Sequence, residues 1–281
     1  MLARASSCGI GILVLATSLC GQQPGVTNSG GDTAGGRENA DCSLETQSFA
    51  LKKQGLTVIN TEGGVLFTAG MTIDADGAPN AYAPHNRGLD YTANARGSKG
   101  WVALVTDQKG HPILQKRGRY RGYYVSTTSL QHESVSDLKN PKRYIDATKV
   151  PYIALPPDFS KAFNISLGDL ALVRNKASGR TAYAVFADVG PKGRIGEGSI
   201  ALAKALGIPS NPRHDSVVDG VMYLVFPGSA LPAGKRISAR SVRASAAKLY
   251  HLWGGSQRLH NCATTGNRQL ATGNSSKPSA D

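Results

Sequence analysis

Acidic side chains are scarce in this chain: 19 Asp and Glu stand against 32 Lys and Arg, giving a formal net charge of +13. An excess of that size ordinarily points to nucleic acid or an anionic surface. Two basic groups, Lys109, Lys116, Arg117, Arg119, Arg121 and Lys235, Arg236, Arg240, Arg243, Lys248, carry part of it. Neither is interleaved with a recognisable nucleic-acid motif, so both read as solvated basic faces and no nucleic-acid partner is expected. Long apolar runs are also missing. The run over 9–16 is too short to span a bilayer, so no stable membrane insertion is expected. The six histidines have no zinc-ligand spacing and no serine sits in a Gly-x-Ser-x-Gly elbow, which leaves metallohydrolase and serine hydrolase chemistry without support.

Cysteine is sparse as well, with four in 281 residues. Arg4, the apolar run and the small residues Thr17 and Ser18 have the layout of a secretory leader over 1–21, so the chain is expected to be exported. Lipid attachment at Cys20 is the alternative, weakened by the bulky Leu19 before it. Removal of the leader leaves Cys42 and Cys262, which bracket the part that reads as folded and can pair in an oxidising compartment. Residues 22–41 are mostly Gly, Asn, Thr, Pro and Gln and read as a flexible linker; 263–281 read as a flexible tail. Between them no break or repeat interrupts 42–262, which is expected to be a single, monomeric domain. The 40% hydrophobic content of the whole chain is enough for an ordinary core.

Most segments of that domain read as strands, over 65–73, 101–106, 122–126, 152–155, 169–174, 181–187 and 221–226. Each is short, rich in Val, Ile, Tyr and Phe and bounded by turn residues. Two helices are expected. Ser199 can cap one in which Ile200, Ala203 and Leu206 recur at helical spacing before Gly207, and Val242, Ala246, Leu249 and Trp253 make one apolar stripe over 241–253 before Gly254. The chain is therefore mostly β.

The stretch 183–208 carries the most chemistry. A strand delivers Asp188 to its end, Gly190, Gly193, Gly196 and Gly198 let the following loop fold tightly, and Glu197 stands just before a helix. A phosphate cradle is disfavoured, because no Gly-Lys-Ser/Thr ending follows and two carboxylates would repel an anion. Residue type and spacing leave two readings open. Asp188 and Glu197 are a loop cap and a dipole-favoured helix acid, or they are the paired carboxyls that glycoside hydrolysis needs. Asp74 and Asp76 lie in an Asp-x-Asp-Gly turn that stops short of a calcium loop, so no metal is expected there.

The Phe186-Ala187-Asp188 and Gly196-Glu197-Gly198-Ser199 motifs resemble the glycoside hydrolase family 75 chitosanases, with the Asp and Glu nine positions apart as in that family's essential pair. Further similarity lies in MTIDADGAPN at 71–80, GLDYTAN at 88–94, YYVSTT at 123–128 and YIDATKVPYIALP at 144–156. The resemblance implies endo-hydrolysis of β-1,4-linked glucosamine polymers with inversion, no cofactor, and Asp188 and Glu197 as the catalytic pair. Asp74, Asp76, Asp90, Asp146 and Tyr123 are the substrate-binding candidates within or beside those motifs. The Asp188-Val-Gly-Pro191 turn and the small-residue helix ending at Leu206-Gly207 also resemble the double-psi β-barrels of the rare lipoprotein A and expansin type. That implies a double-psi-like six-stranded β-barrel with peripheral helices, with Asp188 as proton donor and Glu197 as base. A strongly basic protein is an unusual host for chitosan, itself a polycation at acid pH. Peptidoglycan or another cell-wall glycan is thus an alternative substrate, and a non-catalytic wall-binding barrel an alternative class.

Overall fold

The computed structural model describes residues 45–50, 55–98, 100–232 and 234–273. The expected leader, the linker, Cys20, Cys42 and the last eight residues lie outside the described residues.

Among the described residues ten strands and four α-helices follow in chain order: β1 Glu45–Ala50, β2 Gly55–Thr61, β3 Gly64–Asp74, β4 Arg96–Gly97, β5 Gly100–Trp101, β6 Tyr152–Leu155, α1 Pro157–Ala162, β7 Leu170–Asn175, β8 Thr181–Val189, β9 Glu197–Ser199, α2 Ile200–Leu206, β10 Ser216–Phe226, α3 Ala239–Trp253 and α4 Gly255–Gly273. The large sheet runs β1-β2-β3-β10-β7-β8-β6-β9, and β9 pairs back onto β3. Six strands, from β3 round to β9, therefore close a barrel, as the barrel resemblance implies. The β3–β9 and β6–β8 pairs are parallel and the rest antiparallel.

Period-two alternation separates the two faces of the barrel wall. Val65, Phe67, Ala69, Met71 and Ile73 of β3 and Val221, Tyr223 and Val225 of β10 enter the main core, where Phe67 stacks on Tyr223 at 4.9 Å and meets the edge of Phe159 of α1. Leu66, Leu224 and Phe226 belong to a second cluster with Trp253, Leu259 and Cys262 of α3 and α4. The junction of α3 and α4 thus packs on the face of the wall opposite Phe67 and Tyr223. Local signals end the helices as expected: Ser199 caps α2 by accepting from Leu202 N at 3.1 Å, and Gly207 closes it at φ 68°. Gly254, at φ 118°, ends α3.

The strands expected over 101–106 and 122–126 are largely replaced by isolated bridges, Leu104 with Ser126, Thr106 with Pro112 and Leu114 with Tyr124. Pro112 has no N–H to continue a ladder, and the glycines at 110, 118 and 122 adopt positive φ, so the segment folds into turns instead. The segment expected as a flexible tail from 263 begins as helix, since α4 extends to Gly273. Leu259 and Cys262, spaced for one helical face, anchor α4 beside Trp253, and that packing outweighs a composition poor in helix formers.

Candidate active site

Strand register brings the two acids of the glycine-rich loop together. Ala154 of β6 pairs with Asp188 of β8 on one side and with Glu197 of β9 on the other. Directly paired residues share a face, so Asp188, Ala154 and Glu197 all project to one side, while Ile153 and Leu155 point into the core. The acid-bearing strands are two spacings apart, about 9.6 Å at the backbone. Asp74, which pairs with Ser199, ends β3 on the same face as Glu197. Asp76 follows in the turn.

Asp188 Oδ1 accepts hydrogen bonds from Ser129 N (3.0 Å), Ser129 Oγ (2.6 Å) and Val189 N (2.8 Å). Asp74 Oδ1 accepts from Asp76 N at 2.7 Å, and Asp76 Oδ1 accepts from Tyr82 Oη at 2.6 Å. Tyr152, also buried, donates its hydroxyl to Asp76 O at 3.0 Å. One oxygen from each of Asp74, Asp76 and Asp188 lies within 4.8 Å of the others, a donor set of the kind a hard divalent cation accepts. Among the described residues no Lys, Arg or His forms an ion pair with Asp74, Asp76, Asp188 or Glu197.

Crowded, buried carboxyls without an ion-pair partner hold their protons more tightly than free ones. Burial, then the charges of Glu197 and Asp188, raise Asp74 well above the usual carboxylate range. Burial and the charge of Asp74 do the same to Asp76. Burial raises Asp188 too, but the hydrogen bonds from Ser129 and Val189 oppose the rise by stabilising its charge. Glu197 is pushed to about 7, first by burial and then by Asp188, with Arg194 pulling the other way. In weakly acidic solution Asp188 is therefore the group whose ionised form is best held, and Glu197 carries a proton.

Two glycines make this arrangement possible. Gly196 has φ 91°, its carbonyl accepts from Thr72 N at 2.9 Å, and an added Cβ would lie 2.3 Å from Gly70 O. Only glycine can therefore seat Glu197 beside β3. A Cβ on Gly190 would come within 3.1 Å of Glu197 Oε2, so its absence leaves that carboxyl approachable.

The residues anticipated from sequence divide into two sets. Asp74, Asp76, Asp188 and Glu197 come together. Asp90 is not one of the grouped carboxyls, though its charge reaches Tyr82; it caps the turn at Tyr91 and Asn94 through bonds of 2.7 and 2.9 Å. Asp146 is engaged by Thr148 and by Lys149 Nζ at 2.7 Å, and Tyr123 packs edge-on against Tyr120. Ser129, Tyr82 and Gly190 were not foreseen as site residues. Ser129 immediately follows the YYVSTT motif, and a serine beside a conspicuous run of hydroxyls was the available signal.

Paired carboxyls on one face of a closed barrel, one with donors that favour its ionised form and the other with its proton held by burial, fit an enzyme that cleaves glycosidic bonds by acid–base chemistry. Residues 71–253 match the fungal chitosanases of glycosyl hydrolase group 75, and the chain belongs to that family. It is a glycoside hydrolase acting on a polysaccharide. A comparison with curated proteins finds no match.

Proposed function

We propose that this protein is an exported endo-chitosanase in which Glu197 protonates the leaving glycosidic oxygen and Asp188 draws a proton from the attacking water. The observation that carries this reading is the placement of the two acids on either side of Ala154 in unlike environments. The roles are the reverse of those implied by the barrel resemblance, because Asp188 has three donors favouring its charge and Glu197 has none among the described residues.

Protonation of the bridging oxygen by Glu197 lets the bond to the anomeric carbon break as positive charge develops on the sugar ring. Asp188 orients a water on the opposite face and takes its proton as the new C–O bond forms. Proton exchange with solvent restores both groups. Burial first, and the neighbouring carboxyls second, raise Asp74 and Asp76, and an entering glucosamine ammonium favours their ionised forms. They then ionise and hold it, which supplies local attraction in a protein whose overall charge repels the substrate.

A two-strand separation of the acids favours the spacing of about 6.5–9.5 Å used by inverting enzymes over the roughly 5 Å of retaining ones. Proton NMR of an early chitosan digest is expected to show the α-anomer of the new reducing end first; β-product first contradicts the proposal. A reducing-sugar assay run in parallel on peptidoglycan tests the substrate class.

Export also implies a bridge between Cys42 and Cys262. Cys262 is fully buried in the cluster that holds Ile59, and β1 starts with Glu45 paired to Asn60, so the chain enters the fold close to that cluster. In the chain-entropy model a loop of this length stabilises by up to about 5 kcal/mol. Mass spectrometry of non-reduced peptides is expected to recover the linked pair, and recovery of both as free thiols removes it.

A further inference from the structure

The two basic groups that sequence reading treats as solvated faces converge in space. Arg117 and Arg119 from the first and Arg236 and Arg240 from the second line one cavity of about 720 Å³, joined there by Lys142 and Lys149. Its single carboxylate, Asp146, is already engaged by Lys149 at 2.7 Å and by Thr148. Among the described residues Arg117, Arg119, Lys142, Arg236 and Arg240 form no ion pair with an acid. Five unneutralised cations around one concavity repel one another, an arrangement that an anion relieves.

We propose that this cavity is a second binding site, separate from the carboxyl cluster, which holds an anionic polysaccharide bearing carboxylates along its chain. The substrate itself does not fit here, because a polyamine is repelled by these walls. A polymeric ligand follows from continuity: Gln115, Arg117, Asn140 and Pro141 also line a neighbouring cavity of about 1140 Å³, where Lys116, Arg121 and Lys139 join Arg117 and outnumber the carboxylates of Asp107 and Asp137. The two form a basic track. Guanidinium forks match carboxylates in a bidentate way, and Pro141 and Ile237 offer apolar surface to sugar rings. Single-stranded nucleic acid fits less well, because it needs a run of free aromatic faces. Tyr120 is covered by Arg119 at 5.4 Å and flanked by Tyr123, while Tyr144 is buried with its hydroxyl donated to Leu138 O. His132, also on the wall, is pushed below its ordinary value by burial and by Arg236, and so reports the local positive field.

The site has a physical use. A polyamine glycan in a natural matrix is neutralised by polyanions, and an enzyme that grips the polyanion is held beside a substrate that would otherwise repel it.

The test titrates the full chain with an oligogalacturonate of about ten residues at low salt. An R117A/R236A double variant is compared with K109A/K248A, which removes the same charge from the same two sequence groups at exposed positions outside the cavity. The cavity pair is expected to weaken binding by about tenfold or more and the control pair by less than about twofold. NMR titration is expected to show the His132 pKa rising on ligand binding in the wild type, with turnover of short chitosan oligomers unchanged in R117A/R236A. Equal losses in both pairs reduce the effect to diffuse charge and overturn the site, as does an absence of binding at low salt. Single-stranded DNA of matched charge binding as tightly as the uronate overturns the assignment of the ligand.

Discussion

Replacing Glu197 by Gln is expected to lower kcat on chitosan by about 10²–10⁴-fold, the range that one general acid contributes. The loss should shrink on substrates whose leaving group departs without a proton, such as glycosyl fluorides, because that is the only step the acid assists. The wild-type rate falls as pH rises through about 7, where Glu197 loses its proton. Stability carries the same signature. The folded-state value is raised from 4.5 to about 7, so the folded chain binds the proton more tightly than the unfolded one. The stabilisation linked to that proton is complete below about 4.5 and is lost as pH climbs through about 7. The Gln variant lacks this loss, and its melting temperature at pH 8 is expected to equal or exceed that of the wild type. Wild-type turnover by the variant would falsify the assignment.

Asp188→Asn is expected to cost at least about 10²-fold in kcat, with a different pattern of rescue. A smaller Asp188→Gly variant leaves room for azide, which needs no base, and added azide should restore turnover and yield a glycosyl azide of inverted configuration. Loss of the Asp188 charge also removes one of the two causes that raise Glu197, so the alkaline limb of the Asn variant's pH profile moves to lower pH. The exchanged pattern, azide restoring Glu197 variants and activated leaving groups restoring Asp188 variants, assigns the roles the other way round.

Much of this was legible in the chain because local rules were obeyed. Ser199 and Gly207 bound α2, Gly254 ends α3, and β6, β7 and β8 lie within two residues of their expected limits. Where tertiary pairing decided, the reading stopped. Strand β9 is three residues long, with Gly196 before it and Gly198 inside it, and no pattern of residues marks it. Asp74 and Asp76 were visible as a turn, yet their approach to Asp188 depends on the parallel β3–β9 pairing, which sequence does not announce. Tyr82 and Ser129 reach the acids from loops whose course is set by long-range hydrogen bonds such as Tyr124 N to Tyr82 O. The basic track went unseen for the same reason: its two halves lie more than a hundred positions apart.

Strand β9 closes the barrel through three residues paired to β3 and two paired to β6, and its first residue is Glu197. The thinnest stitch in the wall therefore holds the proposed proton donor. Few backbone hydrogen bonds need to part for that stitch to come undone, and the remaining five strands keep longer registers when it does. Heat should accordingly silence the enzyme while most of its fold survives. A glycan lying across Asp188 and Glu197 would act as a clasp on the same seam, so that the substrate guards the barrel that cuts it.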